Sequence, residues 1–145
     1  MDRDLSFDLH ALTARLDRSA DRILRAEYAV SYRRFLALLL VGELGTTTQR
    51  ALAERSGVSE PSVSRMTGVL VETGLLDVEA DPAGGNRRRL SLTPQGEHVV
   101  EQCRELLERR FAELVERSGV PYGDYARHTR LLMAALDVAE QAANR

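Results

Sequence analysis

The chain contains no lysine and no tryptophan, a single cysteine and only four prolines in 145 residues. Each shortage excludes something. One cysteine, Cys103, cannot form an internal disulfide, and its solitude points to a reducing compartment. Its place on the apolar side of a helical segment reads as a structural thiol rather than a redox sensor. With so few prolines, and ten glycines set among long Leu/Ala/Arg/Glu segments, mostly helix is expected. The most apolar run, Phe35 to Val41, is far short of the roughly 20 residues that span a bilayer, so no membrane partner is expected. The start, Met1-Asp2-Arg3-Asp4, is acidic and lacks the charged-then-apolar order of a signal peptide, which makes the cytoplasm the expected location.

Catalytic and metal-binding patterns are missing too. His10, His98 and His128 have no ligand spacing with one another or with acids, and Cys103 has no partner. Gly84-Gly85 precedes a strand-like segment rather than a helix, and no Ser-His-acid order marks a nucleophile. No enzyme, metal or cofactor is expected.

What is there is arginine. All twenty basic residues are of this type, which suits planar, bidentate contact with phosphate or carboxylate; a GC-rich coding sequence produces the same bias. Net charge is only -2, and residues 50–93 hold six arginines against six acids. Bulk charge therefore argues neither for nor against a polyanionic partner; the local surface decides. The notable concentration is Arg87-Arg88-Arg89, where three like charges adjoin a glycine-rich turn.

Hydrophobic spacing predicts the elements. Leu5, Leu9, Leu12, Leu16, Ser19 and Ile23 alternate by four and three, a helix over about 5–28 with one apolar stripe. A second helix spans about 31–44, from Ser31 through Phe35, Leu38, Leu39 and Val41 to a stop at Gly45. A short helix follows, with Thr48 as its cap and Gly57 as its end. The next starts at a capping Ser59 with proline in its first turn and ends at Gly74. Two short helices joined by Ser56-Gly57-Val58 fit a helix-turn-helix. Alternation in Leu75–Glu79 and Arg87–Leu92, across a turn-rich loop from Asp81 to Asn86, predicts a β-hairpin. Thr93-Pro94 opens a long helix to about 118, with Val99, Cys103, Leu106, Leu107, Phe111, Leu114 and Val115 on one side. The last helix, about 121–143, places Tyr122, Tyr125, Thr129, Leu132, Leu136, Ala139 and Ala143 at 3/4 spacing.

The fold class so predicted is mainly α with a small β-hairpin: a winged helix-turn-helix lobe at 31–96, flanked by helices at 5–28 and 97–143, all in one domain over 1–145. The second short helix suits a major groove, with Glu60, Ser62, Ser64 and Arg65 outward and Val63, Met66 and Leu70 inward against Leu52 and Leu75. Thr48 and the helix start it caps, Gln49 and Arg50, can meet phosphate. The Ser59 and Ser62 hydroxyls can read DNA with them, or serve only as caps. The terminal stripes, Leu5, Leu9, Leu12 and Leu16 in the first helix and Tyr125, Leu132, Leu136 and Ala139 in the last, exceed what an isolated lobe needs. Packing against a second copy would cover them, as would packing within the chain.

Leu52-Ala53-Glu54-Arg55-Ser56-Gly57-Val58-Ser59, Ser62-Val63-Ser64-Arg65, Gly74-Leu75-Leu76 and Leu90-Ser91-Leu92-Thr93-Pro94-Gln95-Gly96, in this order, resemble the multiple antibiotic resistance regulator (MarR) family. The likeness covers about residues 31–96, and the flanking helices lie where that family has its dimerisation helices. It implies a homodimer that reads palindromic double-stranded DNA, usually as a repressor, and that releases DNA when a small aromatic or lipophilic ligand binds. The family wing carries an acid-x-arginine pair near its tip. Counting back from Thr93, the arginine's position falls on Asn86 and the acid's on Gly84, so the minor-groove role passes to Arg87, Arg88 and Arg89 as a group. The family's effector site, between dimerisation helices and lobe, would correspond to His10, Tyr28, Tyr32, Arg33 and Arg34. A winged helix that binds protein instead of DNA, its arginines pairing with a partner's acids, is the alternative that the near-neutral lobe keeps open.

Overall fold

Small hydroxyl side chains cap the starts of four of the helices. Ser31 Oγ accepts from the Arg34 amide at 3.1 Å, Thr48 Oγ1 from that of Ala51 at 3.1 Å, and Thr93 Oγ1 from that of Gly96 at 2.9 Å. Ser59 Oγ does the same for Ser62 at 3.4 Å. Each satisfies an amide that the first helical turn leaves unpaired. Gly57, at φ 69°, ends one of these helices in the left-handed conformation that costs glycine least.

The computed structural model describes residues 4–84 and 87–145, so Asn86 lies outside the described residues. The element order is α1 (Leu5–Tyr28), α2 (Tyr32–Leu44), β1 (Thr47–Thr48), α3 (Gln49–Ser56), α4 (Glu60–Glu72), β2 (Leu76–Ala80), β3 (Arg88–Leu92), α5 (Pro94–Ser118) and α6 (Tyr122–Ala143). The mainly helical winged helix-turn-helix is thus present. The expected hairpin is part of a three-stranded antiparallel sheet in the order β1-β3-β2. β1 pairs Thr47 with Leu90 and Thr48 with Arg89. Two residues are too few to show alternation, so this strand leaves no mark in the sequence.

The chain forms two compact units, Met1–Glu105 and Leu106–Arg145. In the first, Leu24, Leu38, Val41, Leu52, Val63, Leu70, Leu76 and Leu90 are wholly buried, and α2 touches both α3 and β3 while α4 touches α3 and β2. Three details depart from the apolar pattern. Thr67 is buried and Met66 only half-buried on the inner face of α4; Val100 rather than Val99 is buried in α5; and Leu114 is exposed. Three-residue spacing allows either neighbour to face inward, and packing chooses.

In the second unit α5 turns into α6 through Gly119, at φ 80°. The Tyr122 hydroxyl donates to the Glu108 carboxylate, and its ring meets Phe111 edge-on at 6.4 Å. No residue of α6 is buried.

Candidate nucleic-acid interface

α4 is presented by its own inner face. Val63, Thr67 and Leu70 seat it in the core, which turns Glu60, Ser64, Arg65 and Gly68 outward. Thr67 makes two hydrogen bonds on the buried side: its hydroxyl donates to the Ser64 carbonyl at 3.1 Å and accepts from Gln49 Nε2 at 3.2 Å. Gln49, expected to meet phosphate, is thereby tied inward to α4. Its spacing from Val63 and Leu70 marks Thr67 as inward-facing, a signal that reading only apolar residues overlooks.

The first turn of α4 carries a second network. Ser59 Oγ donates to Ser62 Oγ at 3.0 Å, and Arg65 Nη2 donates to the same Ser62 oxygen at 3.2 Å. Ser59 and Ser62 therefore cap and brace the helix, whereas Ser64 stands exposed on its outer face.

Beside α4 lies an open cleft of about 660 Å3 whose lining joins α3, α4 and the wing: Thr48, Gln49, Arg50, Glu54, Glu60, Ser64, Arg87 and Arg88 among them. Arg50 also pairs with Glu54 at 3.4 Å, an exposed i,i+4 contact of small energetic weight. The three wing arginines part company here. Arg87 and Arg88 line the cleft, while Arg89 sits in the middle strand opposite Thr48 and Glu79. An opposite charge directly across the ladder offsets the crowding of like charges at Arg89. Asp81, the nearest acid before the cluster, turns its carboxylate to the Ala83 amide at 3.0 Å, and its own amide closes the loop onto the Arg87 carbonyl at 2.9 Å.

The residues expected at an effector site are not all brought together. His10 and Tyr28 belong to one unbroken helix, and 18 residues at about 1.5 Å each separate them by roughly 27 Å along its axis. Tyr32 is half-buried at the start of α2, its ring 6.2 Å from Phe35; burial pushes its phenol pKa up, with Asp17 adding to the effect. Its amide donates to Asp21 Oδ1 at 2.9 Å, and Arg25 holds the other oxygen at 2.8 Å. Arg33 and Arg34 are exposed and line a second, smaller cleft of about 290 Å3 on the α2 side of α4, together with Arg65.

Of the stripe residues expected at a dimer interface, Leu5 is 72% exposed, Leu132 61% and Leu136 60%; Leu9, Leu12 and Ala139 are also exposed, and Leu16 and Tyr125 are half-buried. The sequence pattern understated α6, which also exposes Leu131, Met133 and Val138. Cys103 is fully buried, which pushes its thiol pKa up to about 11. Among the described residues no three His, Cys, Asp or Glu side chains gather as a metal site, and no helix is long and apolar enough to cross a membrane.

A capped helix pair, an outward α4 and a three-stranded wing with arginines facing the gap define a winged helix-turn-helix protein. Comparison with known proteins gives the family. A model described as the MarR family matches residues 30–86. An uncharacterized HTH-type transcriptional regulator of Mycobacterium leprae is 30% identical over 112 residues, covering 77% of this chain and 78% of its own. Apo wild-type MarR from E. coli has a similar fold, with a TM-score of 0.82 at 21% identity over 94% of this chain and 98% of that one. A cysteine-to-serine mutant of that protein, solved in complex with operator DNA, gives 0.70 at 21% identity over 92% and 99%. The chain belongs to the MarR family, a family of transcriptional regulators and not of enzymes.

Proposed function

We propose that this protein is a homodimeric, cytoplasmic repressor that binds a palindromic operator near the gene it controls and releases it when a small aromatic or lipophilic molecule binds. The observation that carries the DNA-binding part is the junction of α4's outer face with the cleft lined by Arg50, Arg87 and Arg88. A helix of this size fills a major groove about 12 Å wide, and guanidinium groups beside it meet the bounding phosphates. In this reading Ser64, Arg65 and Glu60 face base edges, Thr48, Arg50 and the wing, Asn86 to Arg89, serve the backbone and minor groove, and Gln49 acts indirectly by tying α3 to α4. Ser59 and Ser62 act indirectly, by bracing α4.

The dimer is supported by α6. Leu131, Leu132, Met133, Leu136 and Val138 are all exposed on a helix with no buried residue, and so large an apolar surface requires cover. A second copy supplies it, the exposed leucines of α1 are likewise covered by a second copy, and the whole chain acts as one functional domain. The effector would sit near Tyr28 and Tyr32, where α1 gives way to α2.

Fluorescence anisotropy with the protein's own upstream DNA tests the reading. One saturable complex that weakens steeply with salt and outcompetes scrambled DNA is the expected result. Binding without sequence preference would overturn it and favour a protein-binding winged helix. For the assembly, sedimentation should show a dimer that Leu136→Glu converts to monomer; an unchanged dimer would place the interface elsewhere.

A further inference from the structure

α4 has a cleft on each flank. One faces the wing; the other lies between α4 and the start of α2 and holds Arg33, Arg34 and Arg65 with Ser31 and Ser62, over an apolar floor. The two differ in charge. The wing-side cleft mixes its arginines with Glu54 and Glu60, whereas the α2-side cleft has no carboxylate among its lining residues. Asp21, which receives the Tyr32 amide beside it, already has Arg25 as its counter-charge.

We infer that this second cleft holds the phosphate backbone of the DNA strand on the far side of the major groove from the wing, with Arg33 and Arg34 as its contacts. The inference rests on the reading that α4 enters that groove. A groove is bounded by two backbones, and a helix lying in it has one on either flank. Arginines on the wing side meet one; the other needs a matching set, and the first turn of α2 projects Arg33 and Arg34 along that flank, beside Arg65 of α4 itself. Ser31 caps this turn through the Arg34 amide, which fixes where both side chains emerge.

The character of the cleft also suits a polyanion better than a small effector. Pockets that hold small ligands enclose most of their surface and are mainly apolar. Here all three arginines are exposed on an open rim. Guanidinium forks and a serine hydroxyl are the donors that phosphodiester oxygens take.

The test is an Arg33→Gln/Arg34→Gln variant of the full chain, measured by anisotropy on the upstream DNA across a salt series. Both side chains are exposed, so the melting temperature should match wild type. The slope of log affinity against log salt should fall by about 1.8 per bound protomer, two phosphates at about 0.9 each. Preference over scrambled DNA should persist, and ethylation interference should disappear at phosphates on the side of the half-site away from the wing. An unchanged slope and interference pattern, with wild type binding normally, would overturn the inference. So would an unchanged slope accompanied by loss of release by benzoate, which would assign the arginines to an effector. Failure of the wild-type chain to bind any DNA would instead count against the function proposed above.

Discussion

The side-chain amide of Gln49 donates to the hydroxyl of Thr67 across 3.2 Å, joining the first residue of α3 to the buried face of α4. Thr67 is 1% exposed, so this pair is the polar link that sets the two helices of the reading head against each other. Water cannot replace its buried half.

Thr67→Val keeps the shape of the side chain and removes both hydrogen bonds. A loss of about 1 kcal/mol is expected, since a net hydrogen bond is worth that much and Gln49, half-exposed, can turn to water. The melting temperature should drop by about 3 °C. DNA affinity should fall as well, because α3 and α4 lose their tie. Unchanged melting would show that the contact is incidental.

The arginines should divide by task. Arg87→Ala and Arg88→Ala should weaken binding to all sequences and each lower the salt slope by about 0.9. Arg89→Ala, at a residue that faces Glu79 across the ladder, should lower it less. Arg65→Ala should cost about 1–3 kcal/mol on the operator and relax discrimination at one position. Equal, sequence-blind losses at all four would remove this division of roles.

Two glycines give opposite expectations. A Cβ at Gly96 would run into the carbonyl oxygen of Leu75, the atom that also accepts the Thr93 amide. Backbone cannot yield as a side chain does, so Gly96→Ala should destabilise by about 3 kcal/mol. Gly68, inside α4, has open space where its Cβ would go. Gly68→Ala should stabilise by about 0.5–1 kcal/mol, since glycine is a poor helix former. Chemical denaturation of both variants checks the pair, and a stable Gly96→Ala protein would contradict the close approach of α5 to Leu75.

Asp21 makes the junction of α1 and α2 sensitive to acid. The Tyr32 amide and then Arg25 hold its carboxyl below the ordinary value of 3.8. A lowered folded value means that its contribution to stability is complete above 3.8 and disappears as pH falls through the lowered one. The melting difference between wild type and Asp21→Asn should therefore be steady near neutrality and close in strong acid. A difference that ignores pH would exclude the charge as its cause.

Most of the fold was legible because its signals are local. Ser31, Thr48, Ser59 and Thr93 each cap a helix within three residues of themselves, and Gly57 ends one by its own backbone freedom. Apolar spacing located α1 and α6 to within a residue or two, and the Ser59 cap with the Gly74 stop located α4. The site was legible only in part. Arg87, Arg88 and Arg89 are visible as a cluster, but packing, not composition, places Arg87 and Arg88 at the cleft, and strand register sets Arg89 opposite Glu79. The family resemblance sets His10 beside Tyr28 and Tyr32 in an effector site, and the unbroken rise of α1 separates it from Tyr28.

The sequence by itself determined the order helix, helix-turn-helix, wing, helix, and with it the family, because caps, glycine stops and apolar periods act over three or four residues of chain. Only the tertiary structure decided which polar side chains share a surface. Gln49 meets Thr67 across 18 residues, and Arg34 meets Arg65 across one small cleft, through packing that brings distant elements side by side. Such meetings leave no periodic trace along the chain, since they depend on which face of each helix the core claims.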